Sequence, residues 1–455
     1  MLIVRRIAAL LLLLICATDA SADTVWKGAN GHSFTRGSGD VLDAEGSTVT
    51  VSAESVGESG FVAATTTLTA RGVHGKELRF SGSLQVVEGA GIAALWIRAD
   101  GPEGRLAFVS SAREPVRAGN GSQERELLLY VPAEATELKF GVTLSSAGHV
   151  DAEHLKLQAE PVPSGAVSAY DVLAHAFPVI QANALNASNV DWSTEQAALL
   201  APDLKGLPAQ AAYSKLRNVL LSLADRHSIL KTPSEQSVHR RSAVAGRAIE
   251  VRLMQDIGYV LVPALSGTDA QATAAFTAEL CGQIAKLASA ASKGWIVDLR
   301  HDTGGNMWPM VNGLYPLLGA GDVGAFRNRA GVVTPWGSRP TAGCHLDLPQ
   351  SRVAVLIGPR TASSGEAVAV AFRARPEVRF FGQPTAGLAT SNQGFPLPDG
   401  GSLILTTGIM LDRAGEAYPQ GISPEVLVPV YQEAIEAAAG WLRSVSERSA
   451  VSSTR

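Results

Sequence analysis

The hydrophobic and polar positions divide the chain into three stretches of different period. From Asp23 to about Pro161, apolar and polar residues alternate over short runs. Leu138, Phe140, Val142 and Leu144 are spaced by two, which puts all four on one face of a strand. Leu78 to Val87, Ile92 to Arg98 and Leu127 to Val131 read as further strands. Turn residues such as Glu88-Gly89-Ala90-Gly91 and Ala118-Gly119-Asn120-Gly121 separate the runs. The pattern predicts an all-β sandwich over residues 23–161. Trp26 and Trp96 fall in this stretch, either as core aromatics or as flat surfaces that stack on a sugar ring.

Between Ser164 and Leu230 the period lengthens. Leu216, Val219, Leu220 and Leu223 follow the i, i+3, i+4, i+7 spacing of a helix with one buried stripe. Pro208 stands near the start of that helix, where a missing N–H costs little. Asp225-Arg226-His227-Ser228 closes this helical segment, 164–230. Thr232 to Gly246 is polar and basic and reads as a loop, either a solvated connection or a lid over a site. From Ala248 onward strands and helices alternate. Gly258 to Val262, Trp295 to Leu299 and Val353 to Ile357 read as strands. Ala270 to Ser292 reads as a helix with Phe276, Leu280, Ile284 and Leu287 on one face, and another helix runs from about Gly365 to Arg373. This alternation predicts an α/β domain over 248–430, followed by a helix and a polar tail over 431–455.

Composition narrows the choices. A length of 455 residues suits two to four domains, and 46% hydrophobic against 18% charged residues excludes global disorder. A net charge of −4 excludes a nucleic-acid binder that works by bulk charge. Arg5 and Arg6, the apolar run Ile7 to Ala17, and Ala20-Ser21-Ala22 have the layout of a cleaved signal peptide over residues 1–22. That predicts export to the periplasm or the extracellular space. An uncleaved anchor is the alternative, although the run is too short to span a bilayer easily. Cys16 follows the bulky Ile15, which argues against lipid attachment. Cys281 and Cys344 remain, to pair in an oxidising compartment or to stay as buried thiols.

Three segments carry residues suited to chemistry. Thr361-Ala362-Ser363-Ser364-Gly365-Glu366 lies where a buried strand runs into a helix. Free N–H groups and positive potential at that helix start favour a nucleophile whose attack creates an oxyanion. A serine there also serves as a plain helix cap. The segment resembles the Gly-x-Ser-x-Gly elbow, with Thr361 in place of the first glycine. Asp298-Leu299-Arg300-His301-Asp302-Thr303-Gly304-Gly305-Asn306 ends a strand in a turn with two glycines. Such a turn either presents backbone N–H groups to a ligand or simply connects a strand to a helix. It lacks the Gly-Lys-Ser/Thr ending of a phosphate loop. His227 is the third element, since a neutral imidazole is the natural base for a serine hydroxyl. Asp298 and Asp302 do not have the spacing of a metal site, and no cofactor is expected.

In this order the segments resemble the S41 serine peptidases, the C-terminal processing enzymes and their tricorn-core relatives. The resemblance rests on Asp225-Arg226-His227-Ser228, Gly258-Tyr259-Val260, Asp298-Leu299-Arg300, Gly304-Gly305, Thr361 to Glu366, Thr385-Ala386-Gly387 and Gly421-Ile422-Ser423-Pro424-Glu425. It covers about Ser164 to Pro429 and implies a ClpP/crotonase-like α/β core preceded by a helical segment. It also implies hydrolysis of a peptide or protein substrate through an acyl-enzyme. Carried over, the nucleophile is Ser363, and the N–H of Ser364 with that of Gly304 or Gly305 holds the oxyanion. The processing branch uses a lysine as base, but Leu388 stands at that position. The tricorn-like branch uses a histidine, and His227 matches that role. An acid that orients the histidine is expected at Glu416, with Glu366 as the alternative. No peptide-binding PDZ module is read between His227 and Gly258. Two readings of another class stand beside this one: a non-catalytic binding protein on the same fold, and a carbohydrate-binding module formed by the β-region and attached to a hydrolase.

Overall fold

The computed structural model describes residues 27–28, 34–36, 48–54, 61–89, 91–113, 116–162, 165, 167–201, 203–233, 235–236, 243–245, 248–341, 343–348 and 350–444. Residues 1–22 with Cys16, Trp26, residues 237–242 of the predicted loop and the polar tail beyond 444 lie outside this set. The chain forms two compact units, Met1–Val162 and Pro163–Arg455.

The first unit is built from strands β1 (Lys27–Gly28), β2 (Phe34–Arg36), β3 (Val49–Ala53), β4 (Val62–Thr69), β5 (Lys76–Gly89), β6 (Ala93–Gly101), β7 (Gly104–Ser110), β8 (Gln123–Tyr130), β9 (Glu137–Leu144) and β10 (Gly148–Pro161). They form two antiparallel five-stranded sheets, in the orders β1-β4-β9-β6-β7 and β2-β3-β10-β5-β8. Leu138, Phe140, Val142 and Leu144 share one buried face, as their spacing predicts. They join Leu78, Phe80 and Leu84 from the other sheet in a single core, with the rings of Phe80 and Phe140 5.1 Å apart. The all-β expectation becomes a sandwich closed by alternate residues of both sheets. Trp96 takes the opposite face of β6 from the core residues Leu95 and Ile97, half-buried beside Phe108. It is therefore not one of the core aromatics.

The second unit begins with helices α1 (Ala169–Asn183), α2 (Trp192–Ala198) and α3 (Ala212–Ser222). The predicted stripe is buried in α3 and just beyond it: Leu216, Val219, Leu220 and Leu223 pack against α1 residues such as Phe177. The strands that follow are β11 (Ile229–Lys231), β12 (Ala243–Ala245), β13 (Glu250–Met254), β14 (Ile257–Leu261) and β15 (Leu265–Gly267). β12 lies inside the stretch read as a loop, because its backbone pairs with β15. Helix α4 (Ala270–Leu287) stops before the predicted Ser292, and Gly294 then turns the chain at φ 114° into β16 (Trp295–Asp298). The remaining elements are α5 (Met307–Gly313), α6 (Tyr315–Leu318), β17 (Gly321–Asn328), β18 (Val333–Ser338), β19 (Val353–Ile357), α7 (Ser364–Phe372), β20 (Val378–Gly382), β21 (Thr390–Pro396), β22 (Ser402–Leu411), β23 (Val426–Leu427) and α8 (Tyr431–Ser444).

Two sheets position the site. One has the order β13-β14-β16-β19-β20-β23, parallel except for β13. Helices cover both of its faces, which is why the central strands β14, β16 and β19 are buried at every position instead of alternating. Val353, Val355 and Ile357 face the helices α4 to α7, while Ala354 and Leu356 face α8. Every residue of α7 is buried, so this helix lies inside the unit rather than on its surface. The second sheet is antiparallel, in the order β11-β22-β17-β18, with β21 also paired to β22. The helical segment shares its core with this sheet through Leu397, Leu403 and Leu405.

Cys281 of α4 and Cys344 form a disulfide, with Cα atoms 5.8 Å apart across 63 residues of sequence. A cross-link over a loop of this length restricts the unfolded chain. Replacing both cysteines by alanine is expected to cost about 2–5 kcal/mol of stability. Urea midpoints of the variant and the oxidised wild type check it, and equal midpoints would show that the bond contributes nothing.

Candidate active site

Ser363 sits where β19 has ended and α7 begins, at φ 54° and ψ −115°. Non-glycine residues avoid this conformation, and it turns the side chain out of the sheet edge. Four groups hold it there. Thr361, fully buried, accepts the Gly358 N–H at 3.1 Å and donates to the Leu299 carbonyl at 2.8 Å. The residue that replaces the expected glycine thus ties the elbow to the end of β16. Ala362 N–H donates to the Asp302 carbonyl at 3.0 Å. Ser364 Oγ donates to the Gly305 carbonyl at 2.7 Å. The carboxylate of Glu366 accepts the Ser363 N–H at 3.0 Å.

The Ser363 hydroxyl meets His227: Oγ lies 2.9 Å from Nε2. His227 leaves α3 through a turn in which Ala224 and Arg226 have φ 54° and 56°. The Asp225 carboxylate secures that turn by accepting the N–H groups of His227 and Ser228 and the Ser228 hydroxyl. The imidazole is largely buried. Burial holds its pKa below the ordinary 6.5 despite the opposing pull of the Asp225 charge. Its other nitrogen, Nδ1, lies 2.7 Å from Thr390 Oγ1 at the start of β21, and Asn392 on the same strand donates to the His227 carbonyl at 3.2 Å.

Neither acid suggested by the sequence reaches the imidazole. Glu416 lies exposed on the turn after β22, with its own N–H on Asp412 Oδ1. Glu366 is fully buried, and its oxygens are occupied by Ser363 N–H, Thr385 hydroxyl, and the N–H groups of Gly387 and Leu388. It braces the elbow against the 385–388 turn. The reason in each case is tertiary: one side chain is on an outer turn, and the other points under the serine.

The 302–306 turn packs directly on the elbow. Gly304 has φ 102°, and a Cβ there would lie 2.8 Å from Ser363 Cβ, so both conformation and space require glycine. Its N–H donates to Asp302 Oδ1 at 3.0 Å. The Gly304 donor is thus used within the turn. Asn306 caps α5 by accepting the Trp308 N–H. Asp302 is fully buried between turn and elbow, and burial pushes its carboxyl up to about 8. A carboxyl whose folded value exceeds its ordinary 3.8 favours folding at low pH and loses that contribution as pH rises through about 8. Asp302→Asn is therefore expected to flatten the fall of stability between the ordinary carboxylate value and about 8. Urea midpoints on both sides of that value check it; equal slopes for variant and wild type would remove Asp302 as the cause.

A cavity of about 1030 Å³ opens beside Ser363, lined also by Gly305, Asn306, Trp308, Phe326, Thr390, Asn392 and Met410. Sequence reasoning missed Thr390 and Asn392. The quoted Thr385-Ala386-Gly387 stretch ends shortly before them, and no local pattern distinguishes a threonine that faces a histidine.

A strained serine elbow under a glycine turn thus ends the buried parallel sheet of the second unit. Residues 256–428 match the sequence profile of peptidase family S41. His227 lies upstream of the matched residues. The nisin-resistance protein of Lactococcus lactis subsp. lactis is 28% identical over 242 residues, 50% of this chain and 73% of that protein. Among solved structures, a lipoprotein from Streptococcus agalactiae is similar with a TM-score of 0.53 and 24% identity, over 62% of this chain and 99% of its own. The photosystem II D1 C-terminal processing protease is similar with a TM-score of 0.45 and 16% identity, over 58% of this chain and 94% of its own.

Proposed function

We propose that this chain is an exported serine peptidase in which Ser363 is the nucleophile and His227 its base. The observation that carries this reading is the 2.9 Å approach of His227 Nε2 to Ser363 Oγ at a strained elbow. His227 takes the hydroxyl proton as Ser363 attacks a peptide carbonyl held in the adjoining cavity. The N–H groups of Ser364 and Gly305 stabilise the tetrahedral anion, each donor contributing about 2.7–4 kcal/mol. The helix start at α7 adds positive potential. His227 then protonates the leaving amine, and water releases the acyl group.

Two observations support export. The N-terminal residues have the charge and apolar pattern of a signal peptide, and the Cys281–Cys344 disulfide suits an oxidising compartment. Among the described residues, no helix is long and apolar enough to cross a membrane.

The test is a fluorophosphonate probe on the full chain, with the modified peptide mapped by mass spectrometry. Modification of Ser363 together with cleavage of an unstructured protein supports the reading. A folded protein that takes up no probe, or takes it up elsewhere, overturns it and favours a non-catalytic binding protein.

A further inference from the structure

A histidine base needs its second nitrogen held, because that bond selects the tautomer and aims the ring. Among the described residues no carboxylate hydrogen-bonds to Nδ1, although Asp302 Oδ2 is buried without a partner. Asp225 caps its own turn, Glu366 grips the Ser363 N–H and the 385–388 turn, and Asp302 accepts the Gly304 N–H through Oδ1. The Arg226 guanidinium lies beside Gly387. What meets Nδ1 is an uncharged hydroxyl, Thr390 Oγ1, at 2.7 Å.

The geometry points to Thr390 as the positioning residue that fixes the ring and tautomer of His227 in place of an acid. This inference rests on the reading of His227 as the base. With Nε2 accepting the Ser363 proton, Nδ1 carries hydrogen and donates it to Thr390 Oγ1. Thr390 is well placed for this duty. Its N–H donates to the Leu388 carbonyl, and it stands opposite Ile409 where β21 pairs with β22. The histidine turn is fastened to the same two strands, by Asn392 to the His227 carbonyl and by the Thr406 N–H to Ser228 Oγ. Base and hydroxyl are therefore anchored to the same pair of strands. A hydroxyl orients the ring as a carboxylate does, but brings no charge to stabilise the imidazolium. The base stays weaker and remains neutral further into the acid range.

The experiment compares wild type with three variants by the rate of fluorophosphonate labelling at Ser363, measured across the titration of His227. Thr390→Val keeps the shape and removes the acceptor. It is expected to label about 10- to 100-fold more slowly, with unchanged half-saturation by the probe. Thr390→Ser restores the hydroxyl and is expected to label like wild type. Thr390→Asp supplies a charge and is expected to shift the acid limb to higher pH. A wild-type rate in Thr390→Val, a Thr390→Ser as slow as Thr390→Val, or an unmoved limb in Thr390→Asp would each overturn the assignment. The serine and aspartate arms decide the matter even if the valine variant does not fold. Failure of the underlying function reading is recognised separately, by wild type that does not label at Ser363.

Discussion

Replacing Ser363 with alanine is expected to abolish fluorophosphonate labelling and to reduce peptide hydrolysis by about 10⁴-fold or more. The residual rate would come from the oxyanion donors and substrate binding alone. The fold should survive, because among the described residues the side-chain partner of Oγ is the largely buried His227 and no core packing is lost. The strain at this position offers an independent check. Alanine inherits the positive φ of 54°, whereas glycine adopts it without penalty. Ser363→Gly should therefore be more stable than Ser363→Ala by about 1–3 kcal/mol while equally inactive. Thermal midpoints of the two variants measure this. If alanine and glycine are equally stable, the elbow carries no strain; if Ser363→Ala still labels, the nucleophile is another residue.

The second large effect belongs to His227. Its removal in His227→Ala should lower kcat/KM by about 10²–10⁴-fold, the usual contribution of a general base. The pH dependence of wild type follows from burial. The folded imidazole gives up its proton more readily than an ordinary one, so the base is neutral, and active, down to pH values below 6.5. Activity should rise with pH along a limb centred below that value, and the limb should vanish in His227→Ala. A limb centred above 6.5 would mean that an acid faces the imidazole in solution. Stability has the matching sign. The unfolded chain binds this proton more tightly, so His227 lowers stability as pH falls through its unfolded value near 6.5.

The glycine turn, the serine elbow and the upstream histidine were all legible as segments, because each has a local reason for its residue types. Gly304 is demanded by a positive φ and a close approach, and Ser363 by a strand-to-helix junction. The partner of Nδ1 was not legible. Thr390 is 163 residues from His227, and no residue beside either announces the meeting. The misplaced acids show the same limit. Glu416, suggested by its position along the chain, lies on an exposed turn; Glu366, suggested by its nearness to Ser363, faces beneath it.

By itself, the sequence determined the period of each segment. That set the faces of β9 and α3, the doubly buried strand β19, and the strand–elbow–helix that carries Ser363. Only the tertiary structure decided which distant groups meet. It brought together His227 and Ser363, Thr390 and Nδ1, Glu366 and the 385–388 turn, and Cys281 and Cys344. The physical reason is range. Hydrophobic periodicity is a property of neighbouring residues on one element, whereas pairing between elements depends on strand register and packing that no short stretch encodes.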